Sequence, residues 1–162
     1  MMIFAMTPFT LFHVLLSLVG IATGLVVLYG WLKSDRMSGW TAVFLISTLA
    51  TVITGFLFPF GGFTPAIGVG IITLATLVGA LSALYRFHLA GRWRIVFLLC
   101  STASLYLNVF VLVVQAFLKV PALNTLAPTG SEPPFAAVQG VVLLAFLAAG
   151  YLAVNRFHPA TA

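Results

Sequence analysis

Residues 95–118 read IVFLLCSTASLYLNVFVLVVQAFL, 24 positions without a single charge. A helix rises about 1.5 Å per residue, so about 20 apolar residues cross a hydrocarbon core of about 30 Å. Four further stretches have the same character: Phe9–Leu32, Trp40–Phe60, Ala66–Phe87 and Phe135–Asn155. Together they predict an all-α integral membrane protein, a compact bundle of five transmembrane helices. The apolar runs are continuous and do not alternate, which excludes a transmembrane β-barrel. The first run exceeds the apolar core of about 7–15 residues found in signal peptides and has no basic segment before it, so it is expected to remain as a span.

Working outward, little sequence lies between these runs. The 162 residues are 62% apolar and 6% charged, where soluble domains average about 45–50% and 25%. A single membrane domain over residues 1–162 accounts for the chain. The net charge of +5 is not spread as a nucleic-acid surface would require. Lys33 and Arg36 lie between the first two spans, Arg86, Arg92 and Arg94 flank the third turn, and Arg156 follows the last span. Five crossings put these six on one side of a membrane. By the positive-inside rule that side is the cytoplasm, with the N-terminus outside and the C-terminus inside. Trp31, Trp40 and Trp93 fall at the same predicted boundary, where an amphipathic ring suits the headgroup layer.

All eight prolines fall at span ends or in connections, so no span is expected to be broken at its centre. Three connections are short. The fourth, 119–134, reads KVPALNTLAPTGSEPP; its prolines favour stiff extended segments, suited to a lid or a crossover tether. Small residues recur at spacings of four: Gly20 and Gly24; Ser47, Thr51 and Gly55; Ala75, Gly79 and Ala83; Ala145, Ala149 and Ala153. Each set shares one helix face and lets backbones approach.

The polar residues inside the spans are few. Ser101, Ser104, Asn108 and Gln115 form one stripe on span four, and His13, Ser17, Gly20 and Gly24 form one on span one. Counting from the outer ends puts His13, Thr54, Gln115 and Gln139 at similar depth. A polar group in lipid must find a partner, because an unpaired one costs several kcal/mol. The stripes are therefore expected to face each other, either as a register-fixing network or as an outward-facing polar pocket lined by His13, Thr54, Asn108, Gln115 and Gln139. His13 is the one side chain well inside a span whose unperturbed pKa lies near neutrality.

Other chemistry is poorly supplied. Asp35 and Glu132 are the only carboxylate side chains, both in connections, which argues against carboxylate-driven transport. Neither an HExxH helix nor a metal-ligand cluster occurs, and the lone Cys100 leaves no CxxC pair. Tyr85-Arg86-Phe87-His88 and Asn155-Arg156-Phe157-His158 end spans three and five in similar fashion. Two such histidines are the raw material of a haem clamp, but both lie at headgroup depth. With Arg86, Arg92, Arg94 and Arg156, His88 and His158 read as anchors to anionic lipid headgroups.

The leading expectation is a non-catalytic partner subunit, assembly factor or scaffold of a bacterial inner membrane. The alternatives are a quinone- or haem-binding redox module built around His13, and a small oligomeric permease. No resident cofactor or metal is expected. The partners expected are the lipid bilayer and a membrane protein or second copy, with no nucleic acid.

Overall fold

A computed structural model describes residues 7–159, and within them every regular element is helical. Helix α1 spans Pro8–Leu32, α2 Ser38–Phe56, α3 Pro65–Leu81, α4 Trp93–Lys119, α5 Pro121–Asn124 and α6 Pro133–Arg156. Among the described residues five helical segments are long and apolar enough to cross a membrane: α1, α2, α4, α6 and Pro65–Arg86, which is α3 with the turn that follows it. Local signals explain several ends. Thr7 and Thr64 cap α1 and α3, accepting from Thr10 N–H (3.2 Å) and Ile67 N–H (3.3 Å), and proline follows each cap. A capping hydroxyl satisfies one orphan N–H, and proline at the first helical position lacks the N–H that would be unpaired there.

Two boundaries differ from the hydropathy reading. Helix α2 stops at Phe56, not Phe60, because Pro59 disfavours the helical conformation in the residue before it. Helix α3 gives way at Ser82–Arg86 to a single π-helical turn. The 119–134 connection also departs from an extended form. It forms α5, packs against α4, buries Ala127 completely and is fastened by Asn124 Nδ2 donating to Phe117 O (3.2 Å).

The five long helices form a closed ring in the order α1, α2, α3, α4, α6 and back to α1. Helix α4 also leans inward to touch α1 and α2. Side-chain contacts show α4 to run antiparallel to both α1 and α6: Ser17 meets Asn108 while Trp31 meets Phe97, and Gln139 meets Phe110 while Arg94 meets Phe157, so α1 and α6 run parallel. Lys33, Arg36, Arg86, Arg92, Arg94 and Arg156 consequently gather at one end of the bundle, here termed the basic end; Thr7 and α5 mark the other.

The packed core lies toward the basic end. Val27, Trp31, Phe44, Leu45, Leu77, Leu98, Leu105 and Phe157 are almost fully buried there. Trp31, one residue before the end of α1, therefore turns its ring into the bundle and not to a headgroup layer. It is 1% exposed, with Phe97 and Phe157 edge-on at centroid distances of 5.2 and 6.2 Å. Glycine makes this packing possible. A Cβ at Gly24 would stand 2.5 Å from Leu105 Cδ1 and 2.9 Å from the Phe44 ring. Gly79 likewise lies under Cys100 Sγ, 2.8 Å from where its Cβ would be. Ala75 and Ala145, by contrast, are exposed, so their small-residue faces pack only in part.

Candidate functional site

The intramembrane polar side chains concentrate in a seam between α1, α2 and α4. At its Thr7 end, His13 Nδ1 lies 2.7 Å from Thr54 Oγ1. The Thr54 hydroxyl also lies against its own helix, at Ala50 O (2.8 Å) and Thr51 O (3.0 Å). With its proton on one of those carbonyls the hydroxyl accepts from an Nδ1–H imidazole and leaves Nε2 an acceptor; in the other tautomer it donates to Nδ1. Phe58 stands edge-on to the imidazole at 5.2 Å and is itself backed by Phe9 at 5.0 Å. Gly55 lies beside the ring, where a Cβ would make an ordinary van der Waals contact with His13 Cε1 at 3.5 Å.

Deeper in the seam, Ser17 Oγ donates to Asn108 Oδ1 at 2.9 Å. Asn108 is 8% exposed and its Nδ2 has no partner among the described residues, and neither has Thr48 Oγ1. Both atoms surround Gly20. A Cβ at that position would lie 3.1 Å from Thr48 Oγ1, 3.2 Å from Asn108 Nδ2 and 3.3 Å from Ser47 Oγ. Below this level the apolar layer of Gly24, Phe44 and Leu105 closes the seam, so it does not run through the bundle. Thr48 is absent from the expected stripes. Its spacing from Thr41 and Thr54 could have marked it, but hydroxyls that bond their own helix, as Ser47 and Thr51 do, carry the same signature.

Of the five residues expected to line an outer pocket, the structure brings His13, Thr54 and Asn108 to the seam. Gln139 sits on the far side of α4, 8% exposed, with Nε2 donating to Phe110 O at 3.1 Å. Gln115 is exposed. It follows Asn108 by two turns on the same face, near the level where α4 meets α5 and α6 through Phe117, Asn124 and Phe135. Gln115 and Gln139 thus stand apart from the seam that holds His13, Thr54 and Asn108.

The basic end separates the expected anchors. Arg86, His88, Arg92, Arg156 and His158 are exposed. Arg94 is half-buried and its Nη1 donates to Val154 O (2.9 Å) and Phe157 O (2.6 Å), so it closes the C-terminal end of α6 and does not reach outward as a headgroup anchor. Arginine near a helix C-terminus satisfies orphan carbonyls and opposes the dipole. The backbone N–H of His158 donates to Ser34 Oγ (2.8 Å), fastening the chain after α6 to the α1–α2 turn. Helices α3 and α6 do not pack on each other, since α4 stands between them, so His88 and His158 follow helices that are not neighbours. No group of three or more potential metal-ligating side chains occurs among the described residues.

A cavity of about 200 Å³ opens at this end, between the start of α2, the π-helical turn and the ends of α4 and α6. Arg36, Ser38, Thr41 and Tyr85 supply its polar wall, and Leu84, Leu89, Phe97 and Phe157 its apolar one. Sequence reading assigned Arg36 to topology alone and had no means of seeing it beside Tyr85, which lies 49 positions away in the chain.

Comparison with protein-family models, with curated proteins and with solved structures finds no match to this chain.

Proposed function

We propose that the protein is a non-catalytic partner subunit of a membrane assembly, a role that includes assembly or scaffolding, with its basic end in the cytoplasm of a bacterial inner membrane. The observation that carries this reading is the outward face of α6. That helix buries only Gln139, Gly150 and Ala153 in the bundle. Ala137, Val141, Leu144, Ala148 and Tyr151 are all exposed, at spacings of four, three, four and three. This is the spacing of a helix–helix seam, and its alanines are the small residues by which helices approach in lipid. Six inward polar side chains meanwhile bond in pairs: His13 to Thr54, Ser17 to Asn108, and Thr76 to Ser104 at 2.7 Å. The test is purification of the tagged full-length protein in nanodiscs, with and without Ala148→Trp. A defined membrane protein should accompany the wild type and be lost from the variant at unchanged melting temperature. Purification of the wild type as an isolated chain would refute the reading. A reporter after Ala162 should be cytoplasmic and a tag near Gly130 external; the reverse result would overturn the orientation.

A second reading rests on the free Nε2 of His13 beside Phe58 and Phe9. An acceptor at a lipid-facing aromatic wall, as Nε2 is in the Nδ1–H tautomer, suits the hydroxyl of a quinol headgroup. His13→Gln keeps one hydrogen bond to Thr54 but removes the titrating ring. Loss of a bound quinone at unchanged melting temperature supports the second reading, and retention of the quinone excludes it.

A further inference from the structure

We infer that the cavity at the basic end binds a phosphate group, presented either by an anionic phospholipid or as free phosphate. The polar wall has the chemistry for it. A guanidinium matches phosphate oxygens with two parallel N–H bonds, and Arg36 lines the cavity together with Ser38 and Tyr85, two residues that carry hydroxyl donors. Asp35, the nearest carboxylate in sequence, is turned to its own backbone and accepts from Met37 N–H at 3.0 Å. No carboxylate lines the cavity.

The Arg36 backbone is held in place by Thr41, whose hydroxyl donates to Arg36 O at 3.1 Å. Ser38 opens the 19-residue helix α2, which begins without a side-chain cap because Met37 occupies the capping position at φ 43°. Its first N–H groups add a positive partial charge on the same side of the cavity as Arg36. The opposite wall, Leu84 and Tyr85, is the π-helical turn, an irregularity often found at functional sites. The floor of Phe97 and Phe157 is 1% exposed and excludes water beneath the anion, which strengthens each charge-assisted bond. One water needs only about 10–15 Å³ of such space, so about 200 Å³ admits a tetrahedral anion with part of its ester. The surrounding basic residues raise the local concentration of anions.

Native mass spectrometry of the full-length protein, titrated in detergent with phosphatidylglycerol, tests this. One lipid should be retained with high occupancy. Arg36→Gln should weaken retention about 10- to 100-fold, as loss of a charged hydrogen-bonding partner does. Arg36→Lys keeps the charge and loses the fork, and Tyr85→Phe removes one donor; both should weaken retention by smaller factors at unchanged melting temperature. Arg156→Gln, an exposed charge at the same end, should leave it unaltered. Equal small losses in Arg36→Gln and Arg156→Gln would overturn the inference in favour of diffuse charge attraction, and so would unchanged retention in both Arg36→Lys and Tyr85→Phe. Displacement of the lipid by millimolar inorganic phosphate identifies a site for the free anion, whereas retention against it identifies the lipid as the source.

Discussion

The half of the bundle near Thr7 and the half near Arg94 are built on different principles. The first is joined by side-chain hydrogen bonds between helices: His13 to Thr54, Ser17 to Asn108, and Gln139 to Phe110 O. The second is joined mainly by volume, with Trp31 between Phe97 and Phe157 and Gly24 under Phe44 and Leu105, and its hydrogen bonds, from Arg94 to Val154 O and Phe157 O and from His158 N–H to Ser34 Oγ, fasten only the end of α6. Interhelical hydrogen bonds in lipid average only about 0.6 kcal/mol, because the separated helices also find partners. Removing a buried aromatic forfeits dozens of dispersion contacts and leaves a hole. The polar half should therefore set register and the packed half stability.

The sharpest way to break that contrast is Trp31→Ala. It should lower stability by about 3–5 kcal/mol, read as a large fall in melting temperature in detergent. A small change would place Trp31 at a tolerant boundary after all. Next is Gly24→Ala. Its new Cβ would meet Leu105 Cδ1 at 2.5 Å, and overpacking of that kind costs about 1–3 kcal/mol. The same substitution at Gly140, which has nothing within 4 Å, should be neutral; equal effects at both would remove the argument for close packing.

In the polar half, Asn108→Leu loses the bond from Ser17 but also removes an unpartnered buried Nδ2, so the loss should stay below about 1 kcal/mol. A loss as large as that of Trp31→Ala would show that the seam, not the aromatic layer, holds the bundle. The smallest effect belongs to the connection beyond α5. Desolvation pushes the Glu132 carboxyl upward, but hydrogen bonds from the Thr129 hydroxyl, Thr129 N–H and Ser131 N–H outweigh it and hold it below the ordinary value. A lowered folded pKa contributes stability that is present above the unfolded value and lost as pH falls through the folded one. Limited proteolysis between Pro128 and Pro133 should thus quicken on acidification through that range, and Glu132→Gln should remove the pH dependence. A pH dependence that persists in Glu132→Gln would assign it elsewhere.

Sequence by itself determined what depends on neighbours along the chain. Runs of apolar residues long enough for lipid, proline at the helix starts, and basic residues in alternate connections are local properties, so the five spans and the clustering of charge at one end were legible. Periodicity also showed which residues share a face, hence the stripes through His13 and Asn108. It did not show which helix meets that face, or for how many turns. Asn108 is buried and Gln115, two turns on along the same face, is exposed. Trp31 and Arg94 carry the sequence marks of boundary residues, yet one fills the core and the other closes the end of α6. The cavity between Arg36 and Tyr85 exists only because α2 and the end of α3 are brought together. Those outcomes rest on contacts between residues far apart in the chain, and only the tertiary structure decides them.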